Sequence, residues 1–166
     1  MVKRTRRAVV ALGFVLFIAS SAGAQSEQSI RVFGDVQQPL TLTTADLAKM
    51  PRAAIQNRNN PVQAAWEGVW LSDILKRAGV PLGPALRGRA LTTYVVVSGS
   101  DGYQVVFSLG ELDPDMTESQ FLIADTAGGR SLASEGEGFR IVIPRDKQGA
   151  RSVRMVTTIE VVQLRK

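Results

Sequence analysis

Thr92-Thr93-Tyr94-Val95-Val96-Val97-Ser98, then Gly99-Ser100-Asp101-Gly102, then Tyr103-Gln104-Val105-Val106-Phe107-Ser108: two β-branched and aromatic runs flank a short turn. Asp-Gly supplies the positive φ angles that a tight hairpin needs. The first run is apolar without a break from Tyr94 to Val97, which predicts a strand buried on both faces. The second alternates, with Tyr103, Val105 and Phe107 on one side and Gln104 and Ser108 on the other. Such a pair needs more sheet or helices around it, so the hairpin is expected at the centre of the fold.

Upstream, Ser29 to Phe33 alternates as a strand, Gly34-Asp35 and Gln37-Gln38-Pro39 punctuate a turn, and Leu40 to Leu42 reads as its partner. Thr44 is the expected N-cap of a helix through Met50, with Asp46 in the first turn and Pro51 as the stop. Arg52 to Gln56 reads as a strand entering a polar segment, Gln56 to Pro61, and extended structure resumes over Gln63 to Trp66. Glu67-Gly68-Val69 is expected as a turn. Trp70, Leu71, Ile74, Leu75 and Ala78 then fall at helical spacing, which predicts an amphipathic helix over Leu71 to Arg77 stopped by Gly79. Trp66 and Trp70 are read as core and lid residues.

Downstream, Leu109 to Leu112 is a brief helical turn and Phe121 to Asp125 a strand turned by Ala127-Gly128-Gly129. Ser134 to Gly138 is a bend, and Phe139 to Ile143 is a strand closed by Pro144. A basic loop over residues 145–151 leads to a last strand, Thr157 to Val162. The fold class is therefore α+β: a mostly-strand mixed sheet with two short helices, neither βαβ-periodic nor a clean sandwich.

The start of the chain reads differently. Lys3, Arg4, Arg6 and Arg7 form a positive patch, Ala8 to Ala19 is apolar, and Ala22 and Ala24 stand in the Ala-x-Ala relation of a cleavage site. Residues 1–24 are thus expected to be a secretory signal peptide, leaving residues 25–166 as one domain, periplasmic or secreted. About a dozen apolar residues fall short of the roughly twenty that span a bilayer, so no membrane association is expected after cleavage. Thr5-Arg6-Arg7 fits a twin-arginine signal as well as it fits a chance pair in a basic stretch. Four of the 20 basic residues fall in this segment, leaving 16 against 15 acidic ones, a net charge of +1. That near balance gives no reason to expect a nucleic-acid partner.

The chain contains no cysteine and no histidine. Disulfides, a cysteine nucleophile, a Ser-His-Asp triad, a zinc site of the usual His/Cys kind and covalent haem attachment are excluded; neither zinc nor haem is expected. A metal held directly by side chains would need carboxylates. Glu111, Asp113, Asp115 and Glu118 cluster, but without the spacing of a calcium loop, and read as a solvated acidic turn; no metal ligands are assigned. Asp101 reads as a turn residue and Tyr103 as a packing one, rather than as an acid/base pair.

Taken in order, several pieces carry a resemblance. They are Leu42 to Leu47 before Met50-Pro51; Trp66-Glu67-Gly68-Val69-Trp70-Leu71-Ser72-Asp73-Ile74-Leu75; and Val97-Ser98-Gly99-Ser100-Asp101-Gly102-Tyr103. Phe107 to Leu112, Phe139-Arg140-Ile141-Val142-Ile143-Pro144 and Gly149-Ala150-Arg151-Ser152-Val153-Arg154 follow. Together the chain resembles the molybdopterin-binding domain of sulfite-oxidase-type oxidoreductases, in a short stand-alone form. The resemblance covers roughly residues 41–162 and implies molybdopterin as cofactor.

It also implies departures. Catalytic members bind molybdenum through a cysteine thiolate. The matching region here, Ile55 to Asn60, holds Asn57 near that position, and an amide oxygen is a poor substitute for a soft thiolate. The family's closing Val-Lys-Trp is Val153-Arg154-Met155. What the resemblance leaves is an anion-friendly loop: Arg145, Lys147, Arg151, Ser152 and Arg154, with Gly149 for close backbone approach, and Asn57, Arg58 and Arg52 from the other side. A solvated basic turn accounts for the same loop equally well. No catalytic residue is assigned. Three functions follow: a cofactor- or anion-binding, degenerate module taking a pterin or small anion; an oxidoreductase holding its cofactor through phosphate and pterin contacts alone; or an interaction module for a periplasmic protein partner.

Overall fold

The computed structural model describes residues 28–56 and 65–165. Expectations that fall on residues 1–27 and 57–64, among them Asn57 and Arg58, lie outside the described residues. The chain forms β1 (Ser29–Gly34), β2 (Leu40–Thr43), α1 (Thr44–Ala48), β3 (Ala53–Ile55), β4 (Trp66–Trp70) and α2 (Leu71–Arg77). It continues with β5 (Thr93–Gly99), β6 (Gln104–Ser108), α3 (Leu109–Leu112), β7 (Leu122–Ala127), β8 (Arg130–Ser131), β9 (Arg140–Val142) and β10 (Val156–Gln163). The α+β class holds. The strands divide into two sheets, and the helical turn over Leu109–Leu112 is a third short helix.

One sheet runs β2-β1-β10-β5-β6, the other β3-β4-β7-β8, with β9 also on β7. Among the described residues only β1 and β10 pair in parallel, Val32 opposite Ile159. The hairpin of β5 and β6 is in register, Val96 opposite Val106, but it occupies one side of its sheet. The last strand, β10, takes the middle, because its eight residues pair with β1 on one side and β5 on the other. The expectation of a β5 buried on both faces is also corrected. Val95 and Val97 are buried, whereas Tyr94 and Val96 are half-buried on a face that no second layer of the described residues covers.

The core lies between the sheets. Ile30, Val32, Val95, Val97, Phe107, Ile159 and Val161 from the first meet Val69, Ile123 and Ile141 from the second. Leu71, Ile74 and Leu75 of α2 close one end. The helix starts without a side-chain cap; the Leu71 N–H donates to the Phe121 carbonyl instead, at 2.8 Å. Gly79, at φ +76°, ends it as expected. The cap of α1 is Thr43, one residue before the expected Thr44. Its hydroxyl accepts from the Asp46 N–H at 3.2 Å, and the Asp46 carboxylate accepts from the Thr43 N–H at 3.1 Å, a reciprocal box.

Glu67-Gly68-Val69 is strand rather than turn. Gly68 sits inside β4 opposite Ala124 because a Cβ there would overlap the Ile123 carbonyl. The glycine serves close strand approach, not chain reversal. Trp66 and Trp70 stand outside the main core. They are half-buried on the outer face of the second sheet, around a smaller cluster of Leu122, Ala124 and Leu132.

Candidate functional site

The basic loop after β9 is pinned. Arg151 donates to both carboxylate oxygens of Asp146, at 2.9 and 2.7 Å, and to Glu111 at 3.0 Å. Its guanidinium lies 5.4 Å from the Phe107 ring centroid. Donation to the Asp146 carboxylate raises its pKa above the ordinary guanidinium value, against the opposing effect of burial. Arg145 pairs with Glu118 at 2.6 Å. Tyr103 donates its hydroxyl to the Ala150 carbonyl at 2.5 Å, which ties the loop to the hairpin. Two of the expected anion ligands thus already carry carboxylates. Lys147 and Gly149 are exposed, and a Cβ at Gly149 would meet nothing among the described residues. No close backbone approach requires that glycine.

Arg154 is placed differently. The Ile141 N–H donates to the Val153 carbonyl at 3.0 Å and the Val156 N–H to the Phe139 carbonyl at 2.8 Å. Residues 153–156 therefore run beside residues 139–141, and Arg154 comes beside Arg140. Gly99 of the hairpin turn makes room for the Arg154 carbonyl, since a Cβ there would stand 2.6 Å from that oxygen. The Ser100 N–H donates to the Met155 carbonyl at 2.9 Å. Met155 is left-handed at φ +47°, the one such non-glycine among the described residues. A non-glycine residue held there costs energy, and the surrounding hydrogen bonds hold it. Ser152 stays half-buried at the end of the loop.

Arg140 is the residue that sequence reasoning did not assign. It sits on β9 opposite Ala124, half-buried, with its guanidinium carbon 5.0 Å from the Trp66 ring centroid. Burial lowers its pKa, repulsion from Arg154 lowers it further, and Glu137 partly opposes both. No carboxylate lies within salt-bridge distance of Arg140 or Arg154 among the described residues. The sequence did carry a signal, an arginine inside the apolar run Phe139-Arg140-Ile141-Val142-Ile143. Among the described residues Arg140 is thus a half-buried guanidinium without a carboxylate partner, close to the exposed Arg154, an arrangement whose charge an anion would balance.

The other expected members lie elsewhere. Arg52 grips the buried Asp125 through two bonds of 2.6 Å, so it braces β3 against β7. A cleft of about 560 Å³ opens between the end of β3 and the 114–120 and 144–145 loops, lined by Ile55, Gln56, Glu118, Gln120, Pro144 and Arg145. Neither Arg140 nor Arg154 lines it, and the one cation that lines it among the described residues, Arg145, already has a carboxylate. The arginine pair is therefore the better anion site. The acidic turn holds no metal cluster among the described residues. Buried Asp113 instead accepts from the N–H groups of Gly83, at 2.6 Å, and Asp115, at 2.9 Å. Asp101 serves the hairpin turn, accepting from the Tyr103 N–H at 3.0 Å.

A family model described as the oxidoreductase molybdopterin binding domain matches residues 21–166. No curated protein matches the chain. Among solved structures, the crystal structure of the sulfane dehydrogenase SoxCD from Paracoccus pantotrophus is similar, with a TM-score of 0.61 at 21% sequence identity. The match covers 83% of this chain and 39% of that one. At that identity the likeness is one of fold.

Proposed function

We propose that this chain, which belongs to the oxidoreductase molybdopterin binding domain family, is an exported module that holds the phosphate end of a pterin, or a small anion of like chemistry, between Arg140 and Arg154. The observation that carries the reading is Arg140 itself: half-buried against Trp66, beside a second arginine and without a carboxylate partner among the described residues. A phosphate there would satisfy both guanidinium groups and relieve their mutual repulsion.

The two ends of the family's cofactor fit this chain differently. The anionic end fits: Arg140 and Arg154 would hold the phosphate, with Ser152 close by in the same segment. The metal end does not fit. The chain has no thiolate and no imidazole, and no group of three carboxylates gathers among the described residues. We therefore derive no redox step. The residues bind and orient an anion, and the Trp66 face, apolar beside the charge, suits a flat heterocycle. In this reading the chain is a degenerate, non-catalytic member of its family, and residues 1–24 are its export signal.

Protein purified from its own cells tests the reading by pterin fluorescence and metal analysis. A bound pterin phosphate or other anion is expected, with molybdenum far below one equivalent. The Arg140→Ala/Arg154→Ala protein is expected to lose the ligand. Molybdenum near one equivalent together with electron transfer to a dye would overturn the degenerate reading. Unchanged ligand content in the double variant would overturn the site.

A further inference from the structure

The backbone is out of step where Arg140 and Arg154 come close. Phe139-Arg140-Ile141 and Val153-Arg154-Met155-Val156 run side by side. The Ile141 N–H on the Val153 carbonyl closes one end and the Val156 N–H on the Phe139 carbonyl closes the other. Between these two bonds one segment has a single residue, Arg140, and the other has two, Arg154 and Met155. Two residues against one is the count of a β-bulge, a device that re-aims side chains beside sites. The extra residue is Met155, at φ +47°. The left-handed position of a bulge ordinarily takes glycine, which has no Cβ to clash.

Two other segments hold the methionine there. In the hairpin turn, Gly99 leaves the space that the Arg154 carbonyl fills, and the Ser100 N–H donates to the Met155 carbonyl at 2.9 Å. The Ser100 hydroxyl donates to the Met155 Sδ at 3.5 Å. On the other side stands Gly138, itself left-handed at φ +63°, where a Cβ would lie 3.3 Å from the Met155 Cα. A left-handed methionine persists only where its surroundings over-determine it, and such residues gather at sites. Packing does not require this one. Met155 is half-buried and belongs to neither apolar cluster of the described residues.

We propose that this bulge aims Arg154, and that Met155 is a positioning residue for the anion site. Its left-handed backbone fixes the direction of Arg154, while its side chain takes no part in holding the ligand. The inference rests on the anion-site reading and adds the device that keeps an exposed arginine close to Arg140. An arginine on a free loop loses backbone freedom when it binds; one whose backbone is already fixed loses less. Affinity for the anion therefore follows the φ preference of residue 155 and not the chemistry of its side chain.

Calorimetric titration of inorganic phosphate into the purified protein tests this. Met155→Asn, whose short polar side chain tolerates the left-handed region, is expected to bind phosphate as the wild type does. Met155→Val, whose branched Cβ excludes that region, is expected to melt cooperatively but to bind roughly tenfold more weakly, the worth of one charge-assisted contact. Gly99→Ala puts a methyl 2.6 Å from the Arg154 carbonyl without touching residue 155. It is expected to weaken binding likewise, and it carries the test if Met155→Val does not fold. A folded Met155→Val or Gly99→Ala protein with wild-type affinity overturns the proposal. So does a Met155→Asn protein that loses phosphate, since the methionine side chain would then be the contact. Failure of the anion-site reading looks different: the Arg140→Ala/Arg154→Ala protein would bind phosphate as tightly as the wild type, and both readings would fall together.

Discussion

Arg151 holds Asp146 by two parallel hydrogen bonds, 2.9 and 2.7 Å long, while its remaining donor reaches Glu111. The contact ties the 145–151 loop to α3, and the ring of Phe107 below it ties the loop to the hairpin. Arg151→Ala is expected to lower stability by about 1.5 kcal/mol, a value reduced for partial exposure. It should leave anion binding largely in place. Urea denaturation with and without phosphate separates the two effects. Loss of anion binding with unchanged stability would show that Arg151 is a ligand rather than a strut.

Arg140 should behave in the opposite way. Arg140→Met keeps an unbranched apolar stem over Trp66 and removes a half-buried charge that has no carboxylate partner among the described residues. Stability in phosphate-free buffer is expected to hold or to rise by up to about 1 kcal/mol. Inorganic phosphate at a hundredfold excess over its Kd should stabilise the wild type by about 2.7 kcal/mol and the variant not at all. Thermal melts across a phosphate titration measure both. Equal stabilisation of the two proteins would count against an anion at Arg140.

Two glycines should respond in contrary ways. At Gly68 a Cβ would overlap the Ile123 carbonyl across the β4–β7 pair, and neither backbone can yield without breaking the ladder. Gly68→Ala is expected to cost about 3 kcal/mol. At Gly149 nothing lies within 4 Å among the described residues and φ is not left-handed. Gly149→Ala is expected to stay within about 0.5 kcal/mol of the wild type or to gain slightly from a stiffer unfolded chain. Chemical denaturation of both variants gives the comparison.

Acid should weaken the fold through its capping carboxylates. The Thr43 N–H and then the Thr43 hydroxyl hold Asp46 below its ordinary value of 3.8. The Gln163 N–H and then Arg165 do the same for Asp35. A folded-state pKa below the unfolded one gives stability that is complete above the unfolded value and lost as pH falls through the folded value. The melting temperature is therefore expected to decline below about pH 4. Asp46→Asn should melt lower at neutral pH and show a shallower acid decline. An identical acid slope in wild type and variant would remove Asp46 from the account.

Much of the fold was legible because local chemistry decided it. Helix α2 begins and ends where the spacing of Leu71, Ile74 and Leu75 and the stop at Gly79 place it. The hairpin forms around Asp101-Gly102, as the turn residues require. Where one residue type serves two purposes, the local signal misled. Gly68 looks like a turn glycine and is a close-approach glycine, since only a neighbouring strand distinguishes the two. Tyr94 to Val97 looks like a doubly buried strand, but among the described residues no layer covers the outer face of its sheet, and Tyr94 and Val96 stay half-buried.

By itself, the sequence determined the α+β class, the hairpin, the helix over Leu71–Arg77 and the exclusion of thiolate and imidazole chemistry, because composition and local periodicity are properties of the chain alone. Only the tertiary structure decided which arginines carry a carboxylate and which do not. Arg151 and Arg154 lie three residues apart in one basic segment. One meets Asp146 and Glu111; the other is carried by backbone hydrogen bonds to the side of Arg140. A charge's partner is fixed by distance across the fold, and residues 27 to 40 positions apart along the chain supply three of these ion pairs and bonds with nothing in the local pattern to announce them.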